Sequence, residues 1–304
     1  MLGEGSEVRR RRLWQSGAAV KGYRVARRTA ERLGLQVVLK TYYSPIPDLT
    51  LLPDDWWERR DPMNGIDFDV DRRLAFVEEH LAGHLRRFGP PADVPAEYAF
   101  EEDNPSYPVP DARVLYAMVR HLRPRRIVEL GSGQTTRVIA QAARENGAEG
   151  SPALLRAYDP FPTAIDDGLP GLDALVRQKA QDVGDDVFGE LEAGDLLFVD
   201  TTHTVKAGSD VNHIVLRVLP LLAAGVVVHF HDVCLPYEYP RYLFDDYGLY
   251  WAEQYLLQAF LACNASFEVL FGVHALGRDR AEGMAAAGAL RAGQGGSALW
   301  IRRV

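Results

Sequence analysis

From about residue 112 onward, short apolar runs alternate with longer amphipathic segments. Val226 to Phe230 is one such run, and the helix-like segment Gly208 to Leu222 precedes it. Alternation of this kind is typical of βαβ units, in which helices cover both faces of a parallel sheet. The pattern predicts helices at 135–146, 171–179, 208–222 and 250–263, and strands at 126–130, 153–158, 179–183, 195–200, 226–230, 267–273 and 297–302. The predicted fold is therefore α/β, a doubly wound and mostly parallel sheet of seven strands.

The chain before residue 110 has a different pattern. Prolines between residues 88 and 110 interrupt any periodicity and predict a linker or a folded-over loop. Before them the pattern predicts helices around Ala18 to Leu33 and Val70 to Phe88, and a short strand from Gln36 to Leu39. Apolar residues are too sparse here for a separate core. We therefore expect residues 1–110 to form an N-terminal helical cap with a proline-rich linker, and residues 111–304 to form the sheet domain.

The composition is that of an ordinary globular protein, with 304 residues, 47% hydrophobic and 25% charged. A net charge of −8 disfavours a dedicated nucleic-acid binder, because such proteins carry a broad basic surface that neutralises phosphates. The run from Arg9 to Arg12 is a local exception. We interpret it as a solvated terminus, with a binding arm as the alternative.

Cysteine content and hydropathy indicate the compartment. Cys234 and Cys263 are the two cysteines of the chain, too few for a disulfide framework, which favours a reducing environment. The longest apolar runs fall far short of the ~18 to 20 residues that cross a bilayer. No apolar region follows the N-terminal arginines as a signal peptide requires. The sequence predicts a cytoplasmic protein that is neither secreted nor membrane-spanning.

A glycine-containing turn follows the strand predicted at 126–130. The segment reads Val128-Glu129-Leu130-Gly131-Ser132-Gly133. Two glycines allow a tight turn and close approach of the backbone to a ligand, while the helix beyond presents unpaired N–H groups. Dinucleotide-binding proteins place a third glycine where Thr136 stands here. The turn therefore predicts a cofactor site and disfavours, without excluding, an NAD-dependent oxidoreductase.

Glu129-Leu130-Gly131-Ser132-Gly133 resembles the first motif of the class I S-adenosylmethionine (SAM)-dependent methyltransferases. The resemblance spans about residues 112–304 and implies a Rossmann-like fold whose final strand is reversed. It also implies that an acid ending the second strand, here Asp159, holds the ribose hydroxyls, as a carboxylate can. Asp182 is the corresponding candidate for the adenine amine. The cofactor-binding residues implied by the resemblance are Glu129, Gly131, Ser132, Gly133, Asp159 and Asp182.

Polar residues end the fourth and fifth predicted strands. Asp200-Thr201-Thr202-His203 follows one of them, and His229-Phe230-His231-Asp232 ends the other. The carboxyl ends of neighbouring parallel strands meet at one edge of the sheet, where ligands bind. We therefore expect two carboxylates and up to three imidazoles in one small volume. Such a cluster is costly to bury unless it is paired, metal-bound or functional.

The spacing Asp-x-x-His followed by a strand-end acid resembles the metal-dependent sugar O-methyltransferases and, more distantly, the catechol type. The resemblance implies Asp200 and Asp232 as metal ligands and His203 as general base. The ordinary pKa of histidine, ~6.5, predicts that His203 is mostly neutral near pH 7 and can accept a proton. His231 stands where that group has an acid. An imidazole ligand shifts the preference from Mg²⁺ toward a transition metal, so the predicted metal ligands are Asp200, His231 and Asp232. His229 is interpreted as a core histidine.

The whole chain also resembles a bacterial group of methyltransferase-fold proteins, through Tyr42 to Pro47 and His231 to Pro240. That group implies no particular acceptor. The aromatic segment from Tyr237 to Trp251 predicts either an acceptor lid or packing against the cap. Glu238 and Arg241 could bind acceptor groups or form a surface ion pair.

The function predicted from these features is SAM-dependent O-methylation of a small acceptor, such as a sugar, polyketide or phenolic hydroxyl. A non-catalytic cofactor-binding protein is the alternative from another class. The oligomeric state stays open, with a homo-oligomer possible.

Overall fold

The computed structural model describes residues 17–291 and 294–304. The basic run Arg9 to Arg12 lies outside the described residues. The chain divides into two compact units after Pro53. Among the described residues, no helix is both long and apolar enough to cross a membrane.

The first unit contains helix α1 (Gly17–Arg32), as predicted, and a 3₁₀ turn at Leu49–Leu51, in which the Asp48 side chain accepts a hydrogen bond from Thr50 N. The strand predicted at Gln36 to Leu39 is wrong, because these residues are irregular. An apolar run forms a strand only where another strand supplies hydrogen-bond partners, and no strand lies among the described residues of this unit.

The second unit is built on a seven-stranded sheet of order β3-β2-β1-β4-β5-β7-β6. Strand β7 runs antiparallel to both β5 and β6, and the other pairs are parallel. The doubly wound α/β fold and its reversed final strand are thus confirmed. The strands are β1 (Arg126–Leu130), β2 (Leu154–Tyr158), β3 (Ala174–Val176), β4 (Leu196–Val199), β5 (Val227–Phe230), β6 (Phe267–Gly272) and β7 (Leu299–Arg303).

Helices connect the strands and precede β1. Helix α2 consists of Val70–Phe76, a π-helical turn Val77–Leu81 and a last turn Ala82–Leu85. Helix α6 likewise consists of Asp210–His213, Ile214–Val218 and Leu219–Leu221. The others are α3 (Val109–Leu122), α4 (Gln134–Ala148), α5 (Asp185–Gly189), α7 (Arg241–Asp245), α8 (Glu253–Leu261), α9 (Val273–Asp279) and α10 (Ala281–Ala287).

Two predictions around residues 171–183 are wrong. The predicted helix at 171–179 contains strand β3, and the strand predicted at 179–183 contains a 3₁₀ turn, Ala180–Asp182. Gly171 has φ +90°, which is incompatible with a continuing helix. Asp173 extends the pairing with β2, since its Oδ2 accepts a hydrogen bond from Leu155 N at 2.7 Å. So short a strand carries too little alternation to be distinguished from a helix turn.

Alternate strand residues face two cores, one on each side of the sheet. Ile127 and Phe198 lie in the core covered by α3 and α4. Val128 and Val199 lie in the core covered by α6 and α8. Helix α2 contributes to the first of these cores, so residues 54–110 belong to the same unit as the sheet. The domain boundary near residue 110 stays a prediction.

Candidate active site

The turn Gly131 to Gly133 lies where strands β1, β2 and β4 end together. Gly131 N donates a hydrogen bond to Tyr158 O at 2.9 Å, and Asp200 N donates to Leu130 O at 2.9 Å. Gly131 has φ +87°, and a Cβ there would overlap the backbone oxygen of Asp200. Glycine is therefore required by the close contact with β4. The predicted cofactor turn and the predicted metal ligand Asp200 are direct neighbours.

Asp159 follows β2 and faces the same turn. Its Oδ2 accepts hydrogen bonds from Ser132 N at 3.0 Å and Ser132 Oγ at 2.8 Å, and its Oδ1 accepts one from Phe161 N at 2.7 Å. Asp182 is exposed and lies in the 3₁₀ turn beyond β3, not at the end of a strand. The structure thus brings Ser132 and Asp159 together, while the roles of both aspartates stay predictions.

Glu129 is completely buried beside the turn. Its Oε1 accepts a hydrogen bond from Thr135 Oγ1 at 2.6 Å, and its Oε2 has no hydrogen-bond partner. Burial raises the pKa of this carboxyl to about 8, because a low-dielectric environment disfavours the charged form. A buried carboxyl oxygen without a partner is costly and marks a place where a donor group could bind.

Asp200, His231 and Asp232 meet at the ends of β4 and β5. One ligand atom from each lies within 4.8 Å of the others. His231 Nδ1 is 3.5 Å from Asp200 Oδ2 and 3.6 Å from Asp232 Oδ2. The imidazole of His231 is buried, and neither of its nitrogens makes a hydrogen bond of good geometry. Two carboxylates and one imidazole form a donor set suited to a divalent metal.

His203 lies between this group and a further carboxylate. Its Nε2 is 3.3 Å from Asp200 Oδ1 and 3.5 Å from Asp232 Oδ2. Its Nδ1 is 2.8 Å from Glu253 Oε2. The first amides of α8 bind the backbone of His203 as well, since Ala252 N and Glu253 N donate to His203 O at 2.9 and 3.2 Å. The start of α8 therefore holds His203 through both side chain and backbone.

His203 and Asp232 both adopt a left-handed backbone conformation, each with φ +54°. Residues other than glycine are uncommon in this region, and such strain is concentrated at functional sites. The two side chains point toward each other across the group. The strained positions are therefore two of the residues whose side chains meet at the ends of β4 and β5.

The electrostatics of the site differ from the sequence-based expectation. Burial alone would lower the pKa of His203, but hydrogen bonds to Asp200 and Glu253 outweigh burial and raise it to about 10. The expectation that His203 is mostly neutral near pH 7 is therefore wrong for the protein alone. Burial also disfavours the charged form of Asp200. The attraction to His231 and the hydrogen bond from His203 outweigh burial and keep the pKa of Asp200 well below its usual range.

Sequence reasoning missed Glu253 and Asp111. Both carboxylates are buried, and each faces an imidazole of the site: Glu253 faces His203, and Asp111 Oδ2 is 3.4 Å from His231 Nε2. Each belongs to the first turn of a helix far from its partner in sequence. No local motif marks such a contact, because acids are common in first helical turns for reasons of capping and dipole.

His229 is buried in the sheet, in agreement with its interpretation as a core residue. Its ring stacks on Phe198 at a centroid distance of 4.2 Å and packs edge-on against Trp300 at 4.7 Å. Tyr107 Oη is 3.4 Å from its Nε2. Burial and the neighbouring His231 hold the pKa of His229 well below its usual value. His203 and His231, not His229, are therefore the imidazoles that face the carboxylates at the strand ends.

The aromatic segment after β5 contributes one ring directly to the site. Trp251 lies against His203 with ring centroids 4.6 Å apart, and Tyr242 is half exposed. The two charged residues considered for acceptor binding have internal partners: Arg241 Nε is 2.7 Å from Asp245 Oδ2, and Glu238 accepts a hydrogen bond from Tyr255. The ion pair predicted as the alternative for Arg241 is therefore formed, although within α7.

Residues 128–233 match a protein family described as a methyltransferase domain. Among solved structures, the cmcI-N160 SAH structure is 15% identical, covering 71% of this chain and 98% of that one with a TM-score of 0.40. SAH-bound Podospora anserina methyltransferase PaMTH1 is also 15% identical, covering 77% and 94% with a TM-score of 0.35. Likenesses this distant carry no weight for function. No curated protein matches the chain.

The family match confirms the prediction of a methyltransferase. It includes the glycine turn after β1, Asp159, and the ends of β4 and β5. The reversed final strand of the sheet is the one that the resemblance to the SAM-dependent class implied.

Proposed function

We propose that this SAM-dependent methyltransferase methylates a hydroxyl group of a small acceptor, with His203 as general base and a divalent cation held by Asp200, His231 and Asp232. The observation that carries the proposal is the direct contact between the cofactor turn at Gly131 and the end of β4 at Asp200. The contact supports a donor site beside the group of Asp200, His231 and Asp232, as methyl transfer to a bound acceptor would require.

The donor site would be formed by Glu129, the turn Gly131 to Gly133, and Asp159. Glu129 Oε2, buried without a partner, is suited to accept a hydrogen bond from the ammonium of the methionine part of SAM. The carboxylate of Asp159 already accepts hydrogen bonds from neutral donors, as ribose hydroxyls are. Asp182 remains the candidate for the adenine amine. When bound, SAM supplies a methyl group activated by its sulfonium.

The three proposed metal ligands fit a divalent cation in spacing and charge. Donors about 2.1 Å from a shared ion lie roughly 3 to 4 Å apart, and His231 Nδ1 lies 3.5 and 3.6 Å from the two aspartate oxygens. Counting Asp111 and Glu253, carboxylates outnumber the imidazoles they face at this site. An excess of buried negative charge favours a cation. The imidazole favours Mn, Fe, Ni or Zn over Mg.

In the proposed reaction the acceptor oxygen attacks the methyl carbon. The new C–O bond forms as the C–S bond breaks, the sulfur takes the bonding electrons, and the hydroxyl proton passes to His203 Nε2. The hydrogen bond from Nδ1 to Glu253 fixes the tautomer that presents Nε2. A cation at the three ligands would supply positive charge that lowers the pKa of both His203 and an acceptor hydroxyl. Trp251 would exclude water from His203.

The acceptor class rests on the same features. A neutral sugar, polyketide or phenol can stack on aromatic rings such as Trp251 and Tyr242, and a hydroxyl is the group whose methylation benefits from both a base and a cation. These features favour an oxygen acceptor.

Metal removal tests the proposal with the full chain. We expect transfer of isotope-labelled methyl from SAM to at least one member of a panel of sugars, macrolides and phenols. Chelation should lower the rate by at least about tenfold, and Mn²⁺ or Co²⁺ should restore it. Transfer that is insensitive to chelation would contradict the metal. Tight binding of S-adenosylhomocysteine (SAH) with no transfer to any acceptor class would favour the non-catalytic alternative.

A further inference from the structure

We propose that Asp111 is a positioning residue that orients His231 for metal binding through Nδ1. The inference rests on the proposed metal site and adds to it a residue outside the three ligands. Asp111 lies in the first turn of α3 and is buried. Its Oδ2 faces His231 Nε2 at 3.4 Å, while Nδ1 of the same ring faces Asp200 and Asp232.

The geometry determines which nitrogen can bind a cation. A neutral imidazole carries one N–H, and it can bind a metal only through the other nitrogen. A carboxylate beside Nε2 keeps the proton there and leaves the lone pair of Nδ1 directed at the two aspartates. The ring is also held in place by Tyr107, whose centroid is 4.4 Å from that of His231. Asp111 thus selects both the tautomer and the orientation of His231.

Packing alone does not account for a carboxylate at this position. The Asp111 side chain is completely buried, and its Oδ1 has no hydrogen-bond partner. Burying a carboxylate with an unpartnered oxygen costs free energy that a small neutral residue would not. Buried carboxylates with such an energetic cost are found mainly at functional sites.

Ser297 links Asp111 to the proposed ligand Asp232. Its backbone N donates a hydrogen bond to Asp111 Oδ2 at 2.8 Å, and its Oγ donates to Asp232 Oδ1 at 3.0 Å. A single residue just before β7, Ser297, therefore holds both the carboxylate of Asp111 and an oxygen of Asp232. This arrangement is that of an outer layer of hydrogen bonds supporting metal ligands.

The test is Co²⁺ and Mn²⁺ binding to the full chain after chelation and dialysis, measured by visible absorption and by calorimetry. We expect Asp111→Asn to weaken both affinities by ~10 to 100-fold and to alter the Co²⁺ absorption bands. Glu253→Gln is the matched control, because it removes a buried carboxylate charge beside the other imidazole and leaves the contacts of His231 intact. Its effect on affinity should be smaller.

A double-mutant cycle assigns the effect to His231. In a His231→Ala background, Asp111→Asn should cause little further loss of Co²⁺ affinity, because the residue through which it acts is gone. Equal losses from Asp111→Asn and Glu253→Gln, or an undiminished loss in the His231→Ala background, would overturn the inference. Absence of Co²⁺ and Mn²⁺ binding by the wild-type protein would instead contradict the proposed metal site itself.

A measurement on the wild-type protein avoids dependence on the folding of the variant. The ¹⁵N shifts of His231 with Zn²⁺ bound should show a protonated Nε2 and an unprotonated Nδ1. A protonated Nδ1 would overturn the inference.

Discussion

His203→Ala is expected to lower the rate of methyl transfer by ~10² to 10⁴ while changing the affinity for SAH by less than about twofold. The imidazole is the group that would take the proton of the acceptor hydroxyl. It contacts Asp200, which in turn contacts the cofactor turn at Gly131. The measurement is single-turnover transfer of labelled methyl to whichever acceptor the panel identifies. Wild-type turnover by a folded His203→Ala variant would place the base elsewhere.

Asp200→Ala separates the anchoring role from the proton-accepting role. Asp200 contacts both imidazoles of the site, so its loss should weaken acceptor binding and remove the response to added metal. His203→Ala should retain the metal response, because His203 is not one of the three proposed ligands. Identical kinetic changes in the two variants would contradict this division of roles.

The pH dependence of His203 has a defined sign. Its pKa of about 10 in the protein alone means that it keeps its proton at neutral pH and stabilises the folded protein, an effect that is lost as the pH rises through about 10. His203 Nε2 faces Asp200 Oδ1 and Asp232 Oδ2. Both carboxylates are assigned to the cation, and Asp232 Oδ2 is also the oxygen that faces His231 Nδ1. The general-base role therefore depends on the cation, which is consistent with the expected loss of rate on chelation.

Glu129→Gln is expected to stabilise the protein at alkaline pH and to weaken SAH binding. The folded-state pKa of Glu129, about 8, lies above the ordinary value of 4.5. The protonated side chain therefore stabilises the folded protein fully below about pH 4.5, and this stabilisation is lost as the pH rises through about 8. Glutamine does not ionise, so the free energy of unfolding of the variant should rise relative to wild type by roughly 4 kcal/mol between pH 5 and pH 9.

The measurement is urea unfolding at both pH values, together with calorimetry of SAH. Replacement of the ionisable carboxyl by a neutral amide should lower SAH affinity by roughly 10 to 100-fold, as for loss of a hydrogen bond to a charged group. Glu78→Gln is the control, because Glu78 is exposed on α2 and its substitution should change neither quantity. Parallel pH curves for wild type and Glu129→Gln, or unchanged SAH affinity, would contradict the account of Glu129.

The sheet was predictable because strand burial leaves a direct record in the sequence. Runs such as the one ending at Asp200 are apolar on both faces and are followed by polar residues where the strand ends. Strand β3 was not predictable, since three residues at the edge of the sheet leave almost no periodicity. The strand from Gln36 to Leu39 was predicted from a short apolar run, which does not show whether a partner strand exists.

The same distinction applies to the site. Asp200, His203, His231 and Asp232 were found because strand ends in parallel sheets converge on one edge. Asp111 and Glu253 approach the imidazoles from helices distant in sequence, and periodicity reports that a residue is buried but not what it touches. The raised pKa of His203 was missed partly for this reason, because it depends on hydrogen bonds to Asp200 and to Glu253 together.

Calorimetry of SAH with the wild-type protein and Gly133→Val tests the donor site most directly. A Cβ on Gly133 would meet only Ala164 Cβ, at 3.9 Å, so a side chain has room there and its bulk occupies the space that the ligand needs. The φ of +159° strains any residue other than glycine, so the folding of Gly133→Val is checked by urea unfolding. The account predicts that SAH binds the wild-type protein at one site, that NAD does not bind, and that Gly133→Val retains its fold but loses SAH binding. Unchanged SAH affinity in a folded Gly133→Val variant, or binding of NAD in place of SAH, would contradict it.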